Sequence, residues 1–263
     1  MSFWTWLENV FGGAPKPAPA PVPAPVKPTP APVPVPVVVS PPPAPLPSNT
    51  RLNCFDVSHY EPNVDWKQAV ASGMRVCMSK WTDGGASVDP TGAADRAASK
   101  AHGLAYMPFH FFRFGPDAAA QAEHMVKTTG GVQVGELPHC MDLEWDNSSG
   151  IAKYANGGQL DEEGAQKALV FLEKLEALTG VIPVVYTASS FFPGTATHET
   201  ARKFARYILW VCSFHLDTPK VPFPWSGWTF WQYTDKKAVP GTGAIDASYF
   251  NGGEAELAKL LKA

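Results

Sequence analysis

Asp142 and Glu144 are the residues best suited to carry chemistry, in the run His139-Cys140-Met141-Asp142-Leu143-Glu144-Trp145. Side chains alternate along a strand, so these two acids share one side while Met141 and Leu143 face the other. Their Cα atoms then lie about 6.5 to 7 Å apart, close enough for one charge to raise its neighbour's pKa and keep it protonated. A carboxyl that stays protonated near neutral pH is what a general acid requires. Asp56, in Cys54-Phe55-Asp56-Val57-Ser58-His59-Tyr60, and Asp246, in Ala244-Ile245-Asp246, are candidates to complete an acidic floor. Asp-x-Glu alone is a weak signal, because two solvated carboxylates at a strand end read the same way. Here the apolar and aromatic flank argues for a walled cleft. Tyr60, Trp81, Phe112, Tyr186, Trp210, Trp231 and Tyr233 recur near other strand ends. Most aromatics in any barrel are core, yet aromatic faces beside acids suit a sugar ring.

Such acids need elements that bring distant segments together. From Arg51 onward short strand-like runs alternate with helical patterns. Strands are expected at Leu52–Ser58, Met74–Lys80, Leu104–Phe112, Leu137–Glu144, Val181–Thr187, Tyr207–Ser213 and Gly227–Tyr233, with a late strand-like run at Ala244–Asp246. Helices are expected at Asn63–Ser72, Thr91–His102, Asp117–Thr129, Asp161–Thr179, Thr197–Ala205 and Glu254–Leu261. The strongest is Asp161–Thr179, with acids at its N-terminal dipole, a stripe of Ala165, Ala168, Leu169, Leu172, Leu175 and Leu178, and Gly180 to end it. Strands separated by helices pair in parallel through right-handed crossovers. The fold class expected is therefore α/β, an irregular (β/α) barrel of about eight strands. Helical signal fades after Ser213, so the last third should connect by loops or a hairpin. Reactive groups in such barrels sit at the carboxyl ends of the strands.

Sixteen of the 27 prolines lie between Pro15 and Pro47. Residues 14–50 alternate Pro with Ala and Val and cannot bury a core, so they read as a disordered, extended linker reaching on the order of 100 Å at full stretch. Ahead of it, residues 1–13 place Phe3, Trp4, Trp6, Leu7, Val10 and Phe11 on one helical arc, which suits a membrane-surface or protein contact, or equally a frayed tail. Residues 51–263 remain as the expected catalytic domain. With 21 Lys plus Arg against 24 Asp plus Glu and no basic block, a nucleic-acid partner is not expected. No run of 18 apolar residues exists to span a bilayer. The first 13 residues lack the basic start of a secretory signal, so none is expected. Cys54, Cys77, Cys140 and Cys212 each sit in an apolar run and read as reduced, buried thiols; neither they nor the histidines cluster, so no metal or other cofactor is implied.

The ordered set of motifs resembles glycoside hydrolase family 25, the lysozymes that cut bacterial peptidoglycan. Cys54 to Tyr60 with Val64-Asp65-Trp66 is similar to its opening Asp-Val-Ser motif. Lys80-Trp81-Thr82-Asp83-Gly84 is similar to its second strand, Phe109-His110-Phe111-Phe112-Arg113 to its third, and Met141-Asp142-Leu143-Glu144 to its catalytic Asp-x-Glu. Val184-Val185-Tyr186-Thr187, Leu209-Trp210-Val211, Trp231-Gln232-Tyr233-Thr234 and Ile245 to Phe250 follow in the family's order. The likeness runs from Leu52 to about Gly252. Trp81, Asp83, Phe109 and Glu61 stand where the family usually has Ala, Glu, Tyr and Gln; the bulk of Trp81 is expected to narrow a subsite.

The resemblance implies a muramidase. Glu144 would protonate the glycosidic oxygen and then act as base toward water. Asp142 would assist, by steering the sugar's own acetamido group or as a direct nucleophile, with Asp56 and Asp246 positioning around it. His59 at the rim, Lys80, His110, Tyr186, Trp210, Trp231 and Tyr233 are the expected substrate contacts. Bacterial peptidoglycan is the expected partner. A chitinase-like hydrolase and a non-catalytic wall-binding module are the rival readings. A wall-cutting domain without a secretory signal also resembles a phage-type endolysin, held in the host cytoplasm and released to the wall.

Overall fold

The computed structural model describes residues 51–147, 151–155 and 158–263. The expected segments 1–13 and 14–50 lie outside the described residues. Strand β1 (Leu52–Val57) is followed by helix α1 (Trp66–Ala71), whose N-terminus is capped by the Asp65 carboxylate accepting from the Gln68 N–H. Then come β2 (Met74–Asp83), the two-residue β3 (Ser87–Val88), α2 (Gly92–Ala101), β4 (Ala105–Phe111) and α3 (Ala118–Thr129). The short β5 (Cys140–Asp142) precedes α4 (Glu162–Thr179), β6 (Val184–Ala188), α5 (His198–Arg202) and β7 (Ile208–Cys212). A hairpin of β8 (Phe230–Val239) and β9 (Gly243–Phe250) and the terminal α6 (Glu254–Ala258) complete the chain.

The strands run in the order β1-β9-β8-β7-β6-β5-β4-β2-β3, and β1 also pairs with β2, which closes an eight-stranded ring. Pairing is parallel from β1 through β2, β4, β5, β6 and β7 to β8. Strand β9 runs the other way against both neighbours. The expected irregular (β/α) barrel is therefore a closed mixed barrel, and the fading of helical signal after Ser213 is the β8–β9 hairpin.

Alternation along each strand splits the core. Cys54, Val76, Met78, Met107, Phe109, Cys140, Val184, Tyr186, Trp210, Phe230 and Phe250 pack together inside the ring. Met141, Leu143, Val185, Leu209 and Val211 instead pack outward against Ala165, Ala168, Phe171, Leu172 and Leu175 of α4 and Ala122 and Met125 of α3. Leu178, expected in that stripe, is 43% exposed at the end of α4; Phe171 is fully buried in its stead. The four cysteines are free thiols, three buried and Cys212 partly so. Among the described residues no helix is long and apolar enough to cross a membrane.

Strands β5 and β6 start later than expected, whereas β2, β8 and β9 run on past their expected ends. Pro138 and Pro183, which lack an N–H, stand ahead of β5 and β6, which start at Cys140 and Val184. In the opposite sense β8 continues through Asp235, Lys236 and Lys237 to Val239, because this arm of the hairpin leaves the packed ring and its charges face solvent.

Candidate active site

The strands deliver their acids to one end of the ring. Asp56 near the end of β1 stands directly opposite Asp246 in the middle of β9 in the antiparallel register. Asp142 ends β5 and lies beside Tyr186, which lies beside Trp210. Beyond Asp142 the Leu143 N–H still donates to the Tyr186 carbonyl at 2.9 Å. This bond carries the alternation one step past the strand and keeps Glu144 on the same side as Asp142. The result is a cleft of about 240 Å³ lined by Asp56, Asp142, Glu144, Asp246, Glu61 and Lys80, with Phe109, Phe111, Tyr186 and Trp210 as aromatic walls.

Gln232 ties the floor together. Its Nε2 donates to both carboxylate oxygens of Asp56 at 3.1 Å and to Asp246 at 3.2 Å, while its Oε1 accepts from the Tyr186 hydroxyl at 2.8 Å. Sequence reasoning missed this residue and chose Trp231 and Tyr233 on either side of it. The signal was present: with Phe230 and Gln232 on one face of a strand, Trp231 and Tyr233 must take the other. Trp231 accordingly points out of the ring and donates its Nε1–H to the Ser213 carbonyl at 2.8 Å, and Tyr233 stacks on Tyr249. Neither lines the acidic cleft.

Burial and crowding both make these acids reluctant to ionise. Burial first, then the charge of Asp246, raises Glu144 to about 7 against the pull of Lys80 and Arg113. Burial and then Asp246 push Asp56 well up, although Gln232 opposes the shift. Burial and then Glu144 do the same to Asp142, and burial followed by Glu61 raises Asp246 to about 6. The protons therefore belong to the cluster, and no single pair accounts for them. Asp142 Oδ1 is buried without a hydrogen-bond partner, which adds to the cost of ionising this carboxyl.

The remaining expected contacts divide. Lys80 lines the cleft and donates to Asp83 at 2.7 Å. Arg113 clamps that same Asp83 with two bonds, at 2.5 and 2.8 Å, and reaches Asp146 at 2.7 Å. Burial alone would raise Asp83, but Arg113 and Lys80 outweigh it and hold the carboxyl below its usual range. Trp210 lines the cleft and is anchored by its Nε1–H to Ser248 Oγ at 3.0 Å. His59 stands outside the lining, its Nδ1 bonded to Asp89 at 2.6 Å, while its neighbours Ser58 and Tyr60 form the rim. His110 faces away from the cleft: it is fully buried, stacks on Phe171, and sits between Thr82 Oγ1 and Gln121 Oε1. Trp81 narrows no subsite, because it turns into the helix layer and donates to the Tyr106 hydroxyl at 2.5 Å.

A closed α/β barrel with clustered, proton-retaining carboxyls and an aromatic-walled groove at one end defines a class, that of barrel glycosidases. The model of the glycosyl hydrolases family 25 matches residues 55–242. The chain is 30% identical over 211 residues to Lysozyme M1 of Streptomyces globisporus, covering 78% of this chain and 69% of that protein. It is 29% identical over 211 residues to an N,O-diacetylmuramidase of Arthroderma benhamiae, covering 79% and 86%. The crystal structure of the bacterial lysozyme from Streptomyces coelicolor superposes with a TM-score of 0.72 at 26% identity, over 80% of this chain and 96% of that one. The chain belongs to glycosyl hydrolase family 25, and it is a glycosidase of the muramidase kind.

Proposed function

We propose that the cleft hydrolyses the β-1,4 bond between N-acetylmuramic acid and N-acetylglucosamine in peptidoglycan, with Glu144 as its acid and base. The observation that carries the assignment of roles is Glu144 itself, a half-buried carboxyl raised to about 7 beside four further acids in one groove. Protonated, it gives its proton to the glycosidic oxygen as the bond to the anomeric carbon breaks; ionised, it takes a proton from the water that completes hydrolysis. Asp142, in the wall of the cleft, is suited to accept from the N–H of the muramic 2-acetamido group and so steer its oxygen onto the anomeric carbon, or to attack that carbon directly. Both routes retain configuration. Asp56 and Asp246, joined through Gln232, hold the floor, and Lys80, Tyr186 and Trp210 contact the sugar.

Digestion of purified peptidoglycan, reduction of the new ends and identification by mass tests the reading. Muramic-acid reducing ends from the wild type and none from Glu144→Gln support it. Glucosamine ends would favour chitinase-like cutting. Undiminished lysis by the variant would favour a non-catalytic wall binder.

The same proposal extends to the setting: a phage-type endolysin, acting on the wall after release from the host cytoplasm, with residues 1–13 as a membrane-surface or protein contact on the 14–50 linker. Removing residues 1–13 should leave activity on purified wall unchanged and weaken liposome association. Equal loss in both assays contradicts a tethering role.

A further inference from the structure

Across β8 from the cleft floor lies a second concavity of about 430 Å³, lined by Arg51, Trp231, Tyr233, Tyr249 and the loop His215–Asp217. It exists because β8 returns through a hairpin, so no crossover helix follows to cover its outer face. Tyr233 and Tyr249 lie parallel, with ring centres 4.2 Å apart and planes 12° from one another, and Trp231 packs against both at 6.1 and 5.8 Å. The Arg51 guanidinium sits over the Trp228, Trp231 and Tyr249 rings at 5.2, 5.9 and 5.8 Å. Its Nε is buried without an acceptor, and among the described residues no carboxylate pairs with it. At the edge of the groove His215 holds a left-handed backbone with φ of 60°, a conformation that non-glycine residues adopt infrequently and that clusters where binding demands it.

These parts form a complementary set. The partly exposed Tyr233 and Tyr249 offer ring surface for the C–H side of a pyranose, the exposed Asp217 offers an acceptor for hydroxyls, and an Arg without a carboxylate partner is shaped to take a carboxylate through paired N–H groups. We propose that this outer groove is a second glycan-binding site, one that takes a carboxylate-bearing stretch of the wall polymer while the cleft holds another. The inference rests on peptidoglycan being the substrate. Gln232 and its neighbours Trp231 and Tyr233 leave β8 on opposite sides, so the two sites share one strand and a glycan in the groove does not obstruct the cleft. Its consequence is retention on the insoluble polymer between cuts.

The test uses the full chain carrying Glu144→Gln, so that binding is measured without cutting. Adding Arg51→Gln or Tyr233→Ala should weaken binding to purified sacculi about tenfold, the size of one charge-assisted hydrogen bond. In the otherwise wild-type chain the same substitutions should leave turnover of short soluble wall oligosaccharides unchanged, while raising KM on sacculi with kcat constant. Unaltered sacculus binding in both variants overturns the proposal, as does an equal loss on soluble and insoluble substrate. Two other occupants are separable. If residues 14–50 of this chain fill the groove, removing residues 1–50 will strengthen sacculus binding and Arg51→Gln will have no effect in the full chain. If a second copy fills it, a concentration-dependent dimer will vanish with Tyr233→Ala. Either result also overturns the proposal. Muramic ends from the wild type with unaffected groove variants sink the groove alone, whereas absence of those ends sinks the substrate reading beneath it.

Discussion

At the scale of single residues the cleft is a place where charge is disfavoured, and two measurements follow. Folding raises Glu144 from an ordinary glutamate value to about 7, so its contribution to stability is greatest below about pH 4 and is lost as pH rises through 7. Glu144→Gln removes that penalty. It should stabilise the domain by about 1–3 kcal/mol at pH 8, with the gain vanishing by pH 4 in thermal melts, even as it abolishes hydrolysis. Catalysis needs the protonated form, so wild-type activity should fall as pH rises past 7. Gln232 gives the second measurement: Gln232→Leu strands two carboxylates and a tyrosine hydroxyl. A loss of about 1–3 kcal/mol in stability and of up to about a hundredfold in kcat through misplaced acids is expected by denaturant melts and steady-state kinetics. The acids themselves were legible from Asp-x-Glu spacing and strand alternation. Gln232 was passed over because aromatics drew attention to the wrong parity of β8, and His110 was misplaced because its burial against Phe171 depends on helix α4, far from it in sequence.

At the scale of elements, the periodic segments α2, α3 and α4 were readable in sequence with their glycine ends, and helix α4 shows where propensity misleads. Gly164 in its first turn would ordinarily gain about 0.5–1 kcal/mol of helix stability on becoming alanine. Here a Cβ would lie 2.8 Å from the Tyr154 hydroxyl and 3.0 Å from Leu160 and Phe114. Tyr154 cannot yield easily, being buried, stacked on Phe114 and bonded to Asp161, the residue that caps the helix. Gly164→Ala should therefore lower the melting temperature, and a rise would show that this corner is loosely packed. The ends of β5, β6, β8 and β9 were poorly legible for a different reason. Prolines and charged residues set those limits through what lies beside the strand, which period-two reading does not see.

At the scale of the whole molecule, alternation of strands and helices was enough to suggest a barrel, but nothing local announced that β9 would run backwards. Acid response is also a property of the whole fold. His139 is buried at the far side of β5 from the cleft, and burial followed by the charge of Arg96 lowers it to about 3 against the pull of the Gly131 backbone. An unfolded histidine takes up a proton near 6.5, so this group's share of stability is lost as pH falls from about 6.5 towards 3. His139→Leu should flatten that acid limb in melts between pH 6 and 4, leaving the opposite trend of the cleft carboxyls exposed. The closed ring has one last consequence. Because β9 pairs on both sides and β1 joins β2, the ring is closed, and among the described residues the sheet's free margins are the two-residue β3 and the projecting arm of the β8–β9 hairpin. Neighbouring molecules crowded on the same polymer meet only short margins, one of them carrying Asp235, Lys236 and Lys237, which disfavours aggregation by strand addition at the high local concentrations that adsorption produces.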